Sequence, residues 1–152
     1  TEAPVITDGP TGVAETAPFV LGEAAMIEFL IGGGNHPWDM VNHDPDSIPS
    51  GVATLNLERM LGPGDWDVLF SATGPNANAL SEMIWDASAF EGETVRLRIY
   101  DTATGGWGHI DVDNIVVSQL PVVIPEPASW MIWISIGLAV SWFGWRRRKV
   151  QR

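Results

Sequence analysis

The chain contains no cysteine. That removes disulfides, zinc-thiolate centres and thiol nucleophiles together. It leaves export open, because a domain of this size can build a core without covalent staples. Basic residues are almost as scarce over most of the length: residues 1–127 hold all 19 acidic side chains against Arg59, Arg96 and Arg98. So acidic a stretch repels phosphates and anionic lipid, which argues against nucleic acid as a partner and for a soluble surface that could take up cations. Catalytic constellations are lacking too. His36, His43 and His109 form no i, i+4 metal-binding pair, and no Ser nucleophile stands in a recognisable elbow. Acid pairs such as Asp65 and Asp67 are too common in this composition to signal a glycosidase. The sequence therefore reads as non-enzymatic. It also lacks an initiator Met and a signal peptide before Thr1, so we expect a fragment or a processed product of an exported precursor, with more than a leader missing upstream.

What is present is concentrated at the C-terminus. Pro125-Glu126-Pro127 is followed by an uncharged apolar run from Ala128 to Trp145 and then by Arg146, Arg147, Arg148 and Lys149. The run sits at the lower edge of what spans a hydrocarbon core of about 30 Å, and inside a bilayer it must be helical to satisfy its backbone. Trp130, Trp133, Trp142 and Trp145 lie near its two ends, as interfacial anchors do. The basic cluster fixes the orientation, with the tail 146–152 cytoplasmic and residues 1–127 outside. The two prolines hold an extended backbone at the outer mouth of the helix.

Tripeptide, span and basic cluster, in that order within the final 28 residues, resemble the PEP-CTERM sorting signal of Gram-negative bacteria. The resemblance covers Pro125 to about Arg148. It implies recognition by an exosortase-type membrane protease or transpeptidase, processing close to the Pro-Glu-Pro motif, and passage from an inner-membrane single-pass precursor to the cell surface, outer membrane or exopolysaccharide matrix. A sortase-type signal would need a Thr-Gly motif that the tail does not have, and a GPI signal would end in the apolar stretch without a basic cluster.

Ahead of the tail the pattern is that of β structure. Residues 1–18 are polar and Pro-containing and read as a linker or a truncated first strand; residues 19–120 read as a β-sandwich ectodomain, and 121–127 as a Pro-rich linker. Met26 to Ile31 is a compact apolar run ending at Gly32-Gly33-Gly34, a core strand closed by a turn rather than a phosphate cradle. Gly51–Leu57 and Trp66–Ser71 flank Gly62-Pro63-Gly64 and suggest a meander or hairpin. The clearest strand is Thr94 to Tyr100, with Val95, Leu97 and Ile99 facing one way and Arg96 and Arg98 the other, the period-2 signature of a half-buried antiparallel strand. Thr104-Gly105-Gly106 turns the chain back into a strand with Ile110 and Val112 inward and Asp111 and Asp113 outward. For Ser81 to Phe90, Gly92 and the lack of a sustained helical period favour a loop that lays Trp85 on the core edge. The fold class expected is all-β, an antiparallel jelly-roll or β-sandwich plus one C-terminal transmembrane helix over 128–145.

The segments Phe29–Asn35, Trp85–Gly92 and Val95–Asp113 look like those of galactose-binding-like jelly-roll modules, a resemblance covering about residues 19–118. It implies a carbohydrate ligand and a structural calcium, without fixing ligand residues one by one. Read from the residues themselves, Trp107 in Trp107-Gly108-His109 either stacks on a sugar face or, the commoner outcome, plugs the end of the sandwich. Asp111 and Asp113, with Asp101, either offer hard oxygens to calcium or form a solvated face that blunts strand pairing. Asp39, Asn42, Asp44 and Asp46 lack the spacing of a defined calcium loop and read as a surface loop. The functional expectation is an exported surface or matrix protein with a structural or carbohydrate-binding module, its partners being the processing enzyme, the membrane and extracellular polysaccharide. The alternative is an accessory C-terminal domain of an N-terminally truncated surface glycoside hydrolase.

Overall fold

The computed structural model describes residues 10–120. The expectations placed on 121–127, 128–145 and 146–152, and those on the first nine residues, lie outside the described residues. Among the described residues no helix is long and apolar enough to cross a membrane.

The described chain is all β. Its strands are β1 (Gly12–Glu15), β2 (Phe19–Val20), β3 (Met26–Gly33), β4 (Ala53–Gly62), β5 (Asp65–Thr73), β6 (Ala77–Asp86), β7 (Thr94–Asp101) and β8 (Ile110–Ser118), with a single 3-10 turn at Ser88–Phe90. Every strand pair is antiparallel. One sheet has the order β1-β7-β4-β5, with β2 also paired to β7; the other runs β6-β3-β8.

The two sheets share a core that follows from period-2 patterning. Ile27, Phe29 and Ile31 of β3, Leu55 and Leu57 of β4, and Val95 and Leu97 of β7 are all buried in one cluster. Trp85 completes it, edge-on to Phe29 at 4.6 Å and stacked with Phe70 at 5.6 Å. Each such aromatic pair contributes about 0.5–1.5 kcal/mol beyond the area it buries. The β4–β5 hairpin forms around Pro63-Gly64, as its sequence suggests.

Three expectations are corrected. Residues 77–86 are a ten-residue strand rather than a loop, and only Ser88–Phe90 turns. Register against β3 explains it: Trp85 opposes Ile27 and points inward, while Ile84 opposes Glu28 and points out. Trp85 is accordingly a core residue, 6% exposed, rather than a cover for the core edge. The turn at 104–106 does not close a hairpin, because β7 pairs with β4 and β1 while β8 pairs with β3 in the other sheet. The segment 102–109 therefore crosses between the two sheets at one end of the sandwich.

The third correction concerns the face that carries Arg96 and Arg98. It is covered, not solvated. The segment 34–52 lies over it as a strap, with Trp38 against Tyr100 at 4.8 Å and Val52 in the same small cluster. Beneath the strap Glu58 is fully buried. Arg96 donates to Glu58 Oε2 from Nε at 2.8 Å and pairs with it through Nη2 at 2.7 Å, and the Tyr100 hydroxyl donates to Oε1 at 2.9 Å. The Arg96 guanidinium also sits 3.9 Å over the Trp66 ring. Arg98 donates to the Pro45 carbonyl at 2.8 Å, which ties the strap to β7. Within the strap, Asp39 accepts from Asn42 and from two backbone N–H groups. Those bonds, the Asn42 side chain's first, hold its carboxyl below the usual carboxylate value.

Candidate functional site

At one end of the sandwich three glycine-bearing segments press their backbones together: 32–36, 73–76 and 104–109. Gly34 donates its N–H to the His109 carbonyl at 2.8 Å, and a Cβ at this position would overlap the Trp107 carbonyl. A Cβ on Gly74 would overlap the carbonyls of Gly32 and Gly33. Glycine is required at both positions by close backbone approach. Polar side chains lock the same junction. The Thr73 hydroxyl donates toward the Gly34 carbonyl at 2.8 Å and accepts from the His36 N–H at 2.9 Å, and Asn76 Oδ1 accepts from the Asn35 N–H at 2.7 Å.

This packed base presents Trp107. Its backbone is left-handed, φ 63°, a conformation that costs a non-glycine residue about 1–3 kcal/mol and persists only where the surroundings impose it. Its ring is stacked with the His109 ring, 6.0 Å away at an interplanar angle of 30°. The residue is 40% exposed.

His109 Nε2 lies 3.6 Å from Asp111 Oδ2, and Asp111 leads into a groove. The groove, about 490 Å³, is lined by Asn78 and Leu80 of β6 and by residues 110–113 of β8. It exists because β3, the strand between them, carries Gly32 at this level, opposite Asp111. A Cβ there would stand 3.1 Å from the Leu80 side chain. The Trp107 and His109 rings thus neighbour, through the His109–Asp111 contact, a groove that offers carboxylates, an amide and an aliphatic side chain. Such a surface can stack an apolar ring face and exchange hydrogen bonds with hydroxyl groups.

The structure brings Asp111 and Asp113 onto this outer face of β8, as the alternation predicts. Asp101 is not with them: it ends β7 in the other sheet. Among the described residues no group of three or more His, Cys, Asp and Glu is placed to hold a metal ion. Asp39, Asp44 and Asp46 lie in the strap; Asp44 accepts from the Asp46 N–H, and Asp46 from the Trp66 N–H. Pro125, Glu126, Pro127 and the basic cluster Arg146, Arg147, Arg148 and Lys149 lie outside the described residues. Sequence reasoning missed Asn78 and Leu80 altogether, since they sat in no recognised motif. The only signal for them was the triple glycine, whose first member leaves the groove open.

No known family profile matches the chain, and no solved structure matches it. Among curated proteins, it is 31% identical over 126 residues to a protein of Aspergillus rugulosus named "Putative glycosyl hydrolase ecdE". The match covers 83% of this chain and 15% of that relative, so the chain spans a small part of the length of the protein it resembles.

Proposed function

We propose that the chain is an exported, non-catalytic surface or matrix protein whose β-sandwich, of the jelly-roll type, binds carbohydrate at the Trp107 end. The observation that carries this reading is the exposed Trp107 ring, held in a left-handed backbone on a glycine-packed base and continuous through His109 and Asp111 with the groove. A sugar ring would stack on Trp107 and place its hydroxyls toward Asp111, Asp113 and Asn78. The name of the curated relative supports a carbohydrate setting. For export, the support is the order of Pro125-Glu126-Pro127, apolar run and basic cluster. An exosortase-type enzyme would process the tail, releasing residues upstream of the motif to the cell surface or the exopolysaccharide matrix. A glycan-array screen of residues 1–127, run with calcium and again with chelator, tests the binding reading. Selective binding is expected, and silence in both conditions would turn the reading toward a purely structural surface protein.

A second reading has its own observation. The relative is much longer than the matched stretch, which favours an accessory domain attached to a glycoside hydrolase. Reading the gene upstream of Thr1 decides it: an open frame encoding a catalytic domain supports the accessory role, and a signal peptide alone removes it.

A further inference from the structure

The two sheets are unequal, and the mismatch leaves a seam open. β8 is an edge of the three-stranded sheet and β1 an edge of the five-stranded one. β8 lies against β4, and β3 against β5. The inner face of β7 and β1 therefore runs on past β8. Ala14 of β1 is exposed on that overhang and Ile99 of β7 is only half-buried, although Ile99 packs against the core. From the other sheet Ile115 of β8 borders the same gap, 38% exposed. Between these residues a slot of about 190 Å³ opens down to Leu55 and Leu97. An apolar cavity of about 150 Å³ takes up a benzene-sized group, so this slot has room for one Leu, Ile or Phe side chain.

Ile115 borders the slot because of a bulge. The β3–β8 register shifts between Glu28 and Leu30, and Asn114 at the shift has φ 51°. Bulges on edge strands re-aim a side chain in this way. Along its other side β8 pairs with no strand among the described residues. It presents a backbone edge of the kind that accepts an added strand. Asp111 and Asp113 stand on the outer face beside it.

We propose that the β8 edge docks an extended segment of a partner protein in which apolar and basic residues alternate, adding a fourth strand antiparallel to β8. Successive side chains of a strand point to opposite faces. One apolar side chain opposite Ile115 enters the slot, while Lys or Arg residues on the other face oppose Asp113 and Asp111 as cross-strand ion pairs. Charge selects this occupant over a second copy of the chain. All three arginines of the described residues are already engaged by carboxylates, Arg59 with Asp67, Arg96 with Glu58, and Arg96 and Arg98 with Glu15. Two copies meeting at this edge would bring like charges together.

The test titrates the whole chain in detergent with a fluorescently labelled synthetic peptide alternating Lys with Ile and Val, and with a peptide of the same composition in which the apolar and basic residues are blocked. The alternating peptide should bind saturably, protect the amides of 110–118 from hydrogen exchange, and weaken with salt. Ala14→Trp, an exposed substitution that fills the slot, should reduce its affinity about tenfold or more. Ile115→Lys should do the same, and both variants should keep the wild-type melting transition. Asp111 and Asp113 also line the carbohydrate groove, but Ala14 does not, so Ala14→Trp should leave glycan binding intact; the two proposals can fail separately. Equal binding of the blocked peptide, binding unchanged by both slot variants, or self-association abolished by Ala14→Trp without peptide uptake would each overturn the proposal.

Discussion

Trp107 combines three properties that a packing residue would not need together: a left-handed backbone, an exposed ring and a stacked histidine. Trp107→Gly separates structure from function at this position. Glycine adopts φ 63° without strain, so unfolding stability should stay within about 1 kcal/mol of wild type. Affinity for any sugar found on an array should fall about tenfold or more, as for loss of an aromatic anchor. Stability in urea and binding by calorimetry, measured on the same protein, check both halves. The role of Trp107 as a candidate was legible from its place in Trp107-Gly108-His109, but its exposure was not, because exposure depends on the Gly34 backbone that meets its carbonyl. Tyr100 makes a second case at this scale. Burial, and then the neighbouring Glu58 carboxylate, push its hydroxyl well above the usual value of 10.0. An acid whose pKa is raised on folding keeps its proton longer in the folded chain than in the unfolded one. Its contribution is therefore whole below about pH 10 and is lost as pH climbs beyond. Tyr100→Phe should cost about 1–3 kcal/mol near neutrality, because Glu58 loses a donor while buried, and should flatten the fall in stability above pH 10. Urea unfolding across that range, wild type against variant, reads both effects.

At the scale of elements, β7 was legible and β6 was not, for one physical reason. β7 alternates Val95, Leu97 and Ile99 with Arg96 and Arg98, and its inner face is buried in the core. β6 is an edge strand, exposed from Asn78 to Ile84, and its apolar residues fall on both faces, so period 2 is blurred. Only Trp85 reports the inward side. The strap over Arg96 and Arg98 was invisible for a different reason: Trp38, Pro45 and Asp46 reach β5 and β7 through contacts between distant parts of the chain that no local pattern encodes. The register of β6 makes a sharp contrast between neighbours. Trp85→Ala should destabilise by about 3–5 kcal/mol, the range for removing a buried aromatic. Ile84→Thr, one residue away and 53% exposed, should change stability by less than about 0.5 kcal/mol. Comparable losses at both positions in urea denaturation would mean that the strand is turned differently from its pairing with β3.

At the scale of the whole molecule, charge is divided sharply along the chain. All acidic residues lie in 1–127, where the three arginines are drawn into ion pairs, and five basic residues lie beyond the apolar run. So acidic a stretch repels anionic lipid, whereas a basic cluster beside a membrane span would be retained on the cytoplasmic side. The sorting proposal depends on that separation and on the backbone between. Proline stops a helix from extending outward, so Pro125 and Pro127 would keep the segment before the span extended and open to a membrane-embedded protease. Replacing both prolines by alanine would let a helical span run on through Glu126, because alanine is the best helix former. Expressed in a Gram-negative host with a matching exosortase-type enzyme, the double variant should accumulate at full mass in the inner-membrane fraction. The wild type should appear shortened at the surface or in the matrix. Glu126→Gln should separate recognition from backbone shape, since it keeps both prolines and removes only the charge. Retention by the proline variant alone would assign the signal to an extended backbone, retention by both would add the carboxylate, processing unchanged in both would remove the tripeptide from the signal, and a wild type left at full mass, read from intact mass, would overturn the sorting reading.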